Sequence, residues 1–85
     1  MPPSATDWEF AARALEGDDT ALAGIPIWAH KWTRLPEPAA VIDPIWGRTL
    51  RFPAYEVVAG PARVVFAAGE FSNGVWGFFV PRGPA

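Results

Sequence analysis

Three ionisable side chains of this sequence are of the types that perform acid–base chemistry: His30, Asp43 and Glu70. His30 is the only histidine and is flanked by Trp28 and Trp32. Between two indoles it could act as a general base in an aromatic pocket. It could equally be a partly exposed ring that covers apolar surface. We favour the second interpretation, because inferring a site from one ionisable group is only probabilistic.

Glu70 lies in a run of apolar and aromatic residues, where an unpaired buried carboxylate would be costly. Three interpretations are open. It could be a catalytic acid, one half of an ion pair with Arg63, Arg51 or Lys31, or a solvated residue near the end of a hairpin. The last is the one we favour, because exposed acids are far commoner than buried ones.

Asp43 begins the stretch Asp43-Pro44-Ile45-Trp46-Gly47, which has the composition of a tight loop. An aspartate on such a loop could contact a ligand. A structural Asx turn, in which the carboxylate accepts hydrogen bonds from nearby backbone amides, is the favoured alternative.

Neither a metal site nor a known catalytic motif is indicated. One histidine and no cysteine leave only carboxylates to complete a transition-metal site, so zinc is disfavoured. The sequence contains no dinucleotide-binding glycine pattern, phosphate-binding loop, nucleophile elbow or zinc-protease motif. No cofactor is predicted, and a non-enzymatic role is favoured over a small enzyme.

The aromatic residues predict a binding surface. Five tryptophans and six phenylalanines stand in 85 residues. Trp8 and Trp76 fit the apolar core, whereas the remaining tryptophans exceed what that core requires, and tryptophan is enriched at protein interfaces. A core larger than expected is the alternative. The predicted contact residues are Trp28, Trp32, Trp46 and Phe79.

Length and charge exclude several classes. The 85 residues predict a single domain, 1–85. A net charge of −2 disfavours nucleic acid as the partner. The sequence shows no signal-peptide pattern and no apolar run of the ~20 residues that a membrane helix needs. We therefore expect a cytoplasmic protein, and the abundance of alanine, glycine, proline and arginine is typical of GC-rich bacteria.

Residues 63–80 carry the strongest local structural signal. Asn73-Gly74 separates two runs rich in β-branched and aromatic residues, which predicts a hairpin with a two-residue type I′ turn. In that register Phe71 lies opposite Trp76. One face is then wholly apolar and forms a core: Val65, Ala67, Gly69, Phe71, Trp76, Phe78 and Val80.

The other face of this hairpin mixes Glu70, Gly77 and Phe79 with further apolar side chains. It is too apolar to be left in water, so we expect a helix, a partner chain or a ligand to cover it. A homodimer would supply such cover, and two-fold dimers are the commonest oligomers.

The N-terminal region predicts a helix. Thr6 and Glu9 have the spacing of a capping box, apolar residues recur with helical spacing as far as Leu15, and Gly17 is a natural stop. These signals predict a helix over residues 7–16, preceded by a frayed segment, 1–5. Residues 18–24 could form a helical turn or a loop.

Short strands are predicted over the rest of the chain. Residues 25–35 are ambiguous between strand and helix, and their β-branched and aromatic content favours a strand. Strands are expected at 39–42, 48–52, 54–58 and 63–68, and Ala59-Gly60-Pro61 joins the last two as a second hairpin.

The predicted fold class is therefore α+β: one N-terminal helix packed on an antiparallel meander of four to five strands. The predicted function is binding of a protein partner, either a second copy or another chain, through an exposed aromatic face. The alternative is a small-molecule-binding domain or small enzyme with a tryptophan-lined pocket that uses His30, Glu70 and Asp43.

Overall fold

A computed structural model of the chain describes residues 7–82, and these residues form a mostly β structure, 61% strand, so the predicted α+β class is wrong. No helix of seven or more residues occurs among them. The strands are β1 Trp8–Leu15, β2 Ala21–Leu22, β3 Ile25–Pro26, β4 Thr33–Arg34, β5 Ala39–Ile42, β6 Thr49–Phe52, β7 Ala54–Ala59, β8 Ala62–Ser72 and β9 Val75–Pro81.

One antiparallel sheet of five strands organises the molecule, in the order β1-β9-β8-β7-β4. Strands β7, β8 and β9 form a meander, and β1 joins the outer edge of β9. Two small two-stranded sheets, β2–β3 and β5–β6, complete the fold. The long strands β8 and β9 thus lie inside the main sheet, flanked on both sides.

The predicted N-terminal helix is wrong, because these residues form strand β1. The residues of this stretch do favour a helix, but β9 offers a row of backbone groups that only another strand can pair with. A β-bulge between Phe10 and Ala12 shifts the register of β1 on β9. As a result, Trp8 and Phe10 pack on one face of the sheet and Ala12 and Ala14 on the other. Thr6 of the predicted capping box, and the segment 1–5, lie outside the described residues.

The hairpin at Asn73-Gly74 is confirmed in its position but not in its turn type. A type I′ turn requires positive φ at both residues. Gly74 has φ +76°, whereas Ala23 is the one non-glycine residue of the described chain with positive φ, so Asn73 does not have it.

The predicted pairing along this hairpin is wrong beyond the first pair. Ser72 pairs with Val75 as expected, but a bulge at Phe71 places Glu70 opposite Trp76. Phe71 therefore packs with Phe79, while Trp76 packs on the opposite face of the sheet. The single apolar face of the prediction is divided between two cores.

The chain itself covers both faces of the sheet. The first core, on one face, packs under residues 22–32 and is built around Ile27, Val57, Phe66 and Phe78. The second core, on the other face, packs under the β5–β6 hairpin. Its central residues are Ala39, Val41, Ala67 and Phe79. Most of the mixed face of the β8–β9 hairpin is thus covered from within the chain, by residues 22–32 and the β5–β6 hairpin, and the expected helix does not contribute.

The remaining predictions are met in part. Strands occur at 39–42, within 48–52 and over 54–58, and the hairpin through Gly60 is confirmed. Residues 25–35 are neither one strand nor one helix. They comprise β3, a 3-10 helix at Ile27–Ala29, and β4. Residues 18–24 form turns and strand β2.

Candidate binding site

Of the four predicted contact residues, Trp46 is the one that projects into solvent. Trp46 is 74% exposed, whereas Phe79 is 1% exposed and lies at the centre of the second core. Trp28 and Trp32 are half-buried and pack against the first core. The structure thus separates Trp46 from the other three.

Trp28 and Trp32 act as a cover for the first core. Their ring centroids lie 4.8 Å apart, and both rings make edge-to-face contacts with Phe78. The indole Nε1 of Trp32 donates a hydrogen bond of 2.8 Å to the carbonyl of Ile27. Trp28 and Trp32 thus cover the first core. This explains why the chain has more tryptophans than a core on a single face of the sheet requires.

Trp46 is exposed because Asp43 holds the loop between β5 and β6. Asp43 is 4% exposed. Its Oδ1 accepts hydrogen bonds from the amide nitrogens of Ile45, at 2.8 Å, and Trp46, at 3.2 Å. Its carbonyl accepts from the Gly47 amide at 2.8 Å, and its own amide donates to the Arg48 carbonyl at 2.8 Å. This network closes the loop tightly and leaves its apolar side chains outside.

The surroundings of Asp43 favour its charged form. Hydrogen bonds from the backbone of Ile45 and Trp46, together with the Arg48 guanidinium, hold the pKa of Asp43 below its usual value of 3.8, against the opposing effect of burial. Arg48 Nη2 lies 3.5 Å from Asp43 Oδ2, and the Arg48 side chain is 68% exposed. Asp43 is therefore a structural Asx residue whose oxygens are already engaged within the loop.

A cleft of about 250 Å³ lies between this loop and the ends of β1, β8 and β9. Its apolar floor is formed by Leu50, Phe52, Phe71 and Val75. Ile45, which is 62% exposed, lines the same cleft as Trp46. The cleft is large enough to receive side chains of a bound molecule.

Arg13 is an exposed arginine that lines this cleft. It lies on β1 opposite Gly77, and its side chain is exposed. Among the described residues its guanidinium has no hydrogen-bond or ion-pair partner. Glu70, on the same cleft, uses Oε2 to accept a hydrogen bond of 2.5 Å from the amide of Gly74. Glu70 is thus exposed near the turn, and its pairing with Trp76 directs its side chain to the face of the first core, opposite to Arg13.

A second cavity of about 370 Å³ continues past Arg13. The two cavities share Arg13, Ser72 and Val75, and the second one reaches Leu15, which is 61% exposed. Because they share these lining residues, we treat the two cavities as one surface region, which we call the tip groove. The residues that line the tip groove include Arg13, Leu15, Ile45, Trp46, Glu70 and Val75.

The three predicted acid–base residues do not come together. Asp43 and Glu70 line the same cleft, but His30 does not. His30 follows the 3-10 helix on the other face of the sheet, where its Nδ1 lies 3.0 Å from the carbonyl oxygen of Pro26. These three side chains therefore do not line one common cleft.

Sequence reasoning missed Arg13, Leu15 and Ile45. The first two were assigned to a helix, which concealed their position beside the hairpin turn. Ile45 carries a usable signal, since an apolar pair, Ile45-Trp46, stands inside the six-residue loop 43–48, where polar residues are usual. An apolar pair at such a position predicts exposed hydrophobic surface.

Within residues 7–82, no group of three histidine, cysteine or acidic side chains is placed to hold a metal ion. The helical content of that same part of the chain includes nothing long and apolar enough to cross a membrane. Comparison with known proteins gave no match to any family model, curated protein or solved structure.

Proposed function

We propose that this domain acts by binding another protein chain through the tip groove. The observation that carries the proposal is the exposure of Trp46, 74%, on a loop that Asp43 holds closed from inside. A tryptophan left in water costs free energy that binding recovers, and its rigid loop loses little conformational freedom on binding.

The neighbours of Trp46 support this role. Tryptophan and arginine are the residues that most often dominate binding energy at protein interfaces. Here an unpaired arginine, Arg13, lines the same cleft as Trp46, and Leu15 adds exposed apolar surface beyond it. The groove thus combines apolar anchors with a charge available for pairing.

Site-specific photo-crosslinking in the native cell tests the proposal. A benzophenone amino acid at Ile45 leaves Trp46 in place and probes the groove from its rim. A covalent adduct with a protein chain is expected, and it should be lost when Arg13→Glu is added. The matched control is the same amino acid at Val58, which is 58% exposed against 62% for Ile45 but lies on β7, outside the groove.

Two results would contradict the proposal. One is an adduct yield at position 45 no greater than at position 58. The other is an adduct that forms equally well with Arg13→Glu, since that would mean contact at the loop without use of the groove.

A further inference from the structure

We infer that Asn73 is a site of spontaneous deamidation, and that Glu70 slows this reaction in the folded protein by binding the Gly74 amide. The modification converts the asparagine side chain to a carboxylate. The inference is independent of what binds the tip groove. It follows from the chemistry of the pair Asn73-Gly74, from the exposure of Asn73 and from the hydrogen bond that Gly74 donates.

The turn between β8 and β9 contains both groups that react in asparagine deamidation. The backbone nitrogen of Gly74, after losing its proton, attacks the side-chain carbonyl carbon of Asn73. The new C–N bond closes a cyclic succinimide, and the bond to the side-chain nitrogen breaks, so that ammonia leaves with the transferred proton. Water then opens the ring at either of its carbonyl groups, which gives aspartate or isoaspartate. Water is the only co-reactant, and nothing is oxidised or reduced.

The residue types and the exposure of the turn favour ring closure. A glycine after asparagine carries no side chain that could obstruct the approach of the reacting groups. Asn73 is exposed. Within residues 7–82, no hydrogen bond holds its side chain in place. The Asn73 side chain can therefore rotate toward the Gly74 nitrogen.

Glu70 opposes the reaction at the attacking atom. Its Oε2 accepts a hydrogen bond of 2.5 Å from the Gly74 amide, which is the group that must lose its proton. Such a bond to a carboxylate is charge-assisted and stronger than one between neutral groups. The carboxylate also lies beside the nitrogen on which a second negative charge must form, and neighbouring like charges disfavour ionisation. Both effects lower the population of the reactive nitrogen anion.

The modification changes a turn that contacts three strands. The Gly74 carbonyl accepts a hydrogen bond of 3.0 Å from the Glu16 amide, next to the end of β1. The Trp76 indole donates one of 3.2 Å to the Glu16 carboxylate. Isoaspartate adds a carbon atom to the backbone just before Gly74, so these contacts cannot all keep their geometry. We therefore expect the isoaspartyl product to have a lower melting temperature than the unmodified protein.

Intact-mass spectrometry of the purified full chain tests the inference. Asn73 is the only asparagine and the chain contains no glutamine, so any conversion of a side-chain amide to an acid is conversion of Asn73. The wild type is incubated at neutral pH, both folded and in concentrated guanidinium chloride. Slow conversion of the folded protein is expected, and conversion several-fold faster in the denaturant. Folded Glu70→Ala should convert several-fold faster than the folded wild type.

Glu16→Ala is the matched control. It removes an exposed carboxylate beside the same turn, but one that binds Trp76 and leaves the Gly74 amide bound to Glu70. It should convert at the wild-type rate. In the denaturant all three proteins should convert at one rate, because the bond from Gly74 to Glu70 requires the folded turn.

A nuclear magnetic resonance titration of the wild type tests the bond without any substitution. The Gly74 amide proton signal should shift as Glu70 is protonated, because the bond is charge-assisted. If Glu70→Ala does not fold, this titration and the ratio of folded to unfolded wild-type rates decide the question.

Several outcomes would overturn the inference. No conversion of the wild type even in denaturant would show that Asn73 is not a deamidation site. Equal rates for the folded and unfolded wild type would show that the fold does not protect it. A rate for folded Glu70→Ala equal to or below the wild-type rate, or a Gly74 signal that ignores protonation of Glu70, would remove the role of Glu70.

Discussion

At the scale of single residues, Asp43 decides what the molecule presents to a partner. Its backbone and carboxylate bind the amides or carbonyls of Ile45, Trp46, Gly47 and Arg48. The carboxylate thereby replaces the pairing that a strand would have provided for these backbone groups. The backbone of Ile45 and Trp46 is thus satisfied within the loop, and their side chains remain 62% and 74% exposed.

The pKa of Asp43 makes this loop sensitive to acid. Because its pKa in the folded state is below 3.8, the unfolded chain binds the proton more readily. Asp43 therefore contributes stability above pH 3.8 that is lost as the pH falls through its folded-state pKa. We expect Asp43→Asn to be less stable than the wild type at neutral pH, with a difference that shrinks below pH 3.8.

Urea unfolding followed by tryptophan fluorescence between about pH 2 and pH 7 measures this difference, at pH values where both proteins still fold. A constant difference between the two proteins across the range would show that the charge of Asp43 does not stabilise the loop.

At the scale of elements, two bulges place the aromatic residues on their faces. The bulge in β1 places Phe10 and Ala12 on opposite faces of the sheet. The bulge at Phe71 places Phe71 on one face and Trp76, the strand partner of Glu70, on the other. In regular strands the two members of each pair would lie on the same face of the sheet. The bulges let the sheet build a core on each face from strands whose sequences lack a clean alternation.

Two glycines allow the rings of the second core to lie against the sheet. Gly69 and Gly77 pair with each other near the turn end of β8 and β9. A Cβ at Gly69 would lie 2.5 Å from the ring of Phe52, and a Cβ at Gly77 would collide with the ring of Phe71. Each ring occupies the space that a side chain would otherwise take.

Gly77→Ala should therefore destabilise the protein by about 1–3 kcal/mol, the cost of overpacking a filled core. The same substitution in a Phe71→Ala background should cost less, because the colliding ring is absent. A double-mutant cycle from urea unfolding measures the difference. Equal costs in both backgrounds would mean that Phe71 does not restrict position 77.

At the scale of the whole molecule, one sheet supports two cores. The first core holds the larger aromatic cluster, and the second is closed by the β5–β6 hairpin that also bears Trp46. The radius of gyration, 12.3 Å, is close to the ~12 Å expected for a compact chain of this length. Since β8 and β9 contribute to both cores, loss of either core should weaken the other.

Val41→Ala in the second core should lower stability by about 1.5–3 kcal/mol, because Val41 is fully buried. The unfolding transition should stay single, with tryptophan fluorescence and far-ultraviolet circular dichroism giving the same midpoint. Val57→Ala provides the matched change in the first core, because Val57 is also fully buried. Separate transitions for the two probes would show that the hairpin melts independently of the sheet.

The sequence by itself determined where two hairpins lie and where most of the strands after Pro38 occur. The hairpin positions at Gly60 and Asn73-Gly74, and the strands at 39–42 and 54–58, follow from glycine, proline and β-branched residues. These features depend on the backbone preferences of a few neighbouring residues, which are local. The Asx role of Asp43 was the favoured interpretation for the same reason.

Only the tertiary structure decided the state of residues 8–15, the register beyond Phe71 and the exposure of each tryptophan. Helix propensity in Trp8–Leu15 is worth tenths of a kcal/mol per residue, whereas an unpaired strand edge and an uncovered core cost several. Both of these greater costs are avoided through contacts with β9 and β5, which are distant in sequence from β1. The tip groove, with Arg13 beside Trp46, exists because of these long-range pairings.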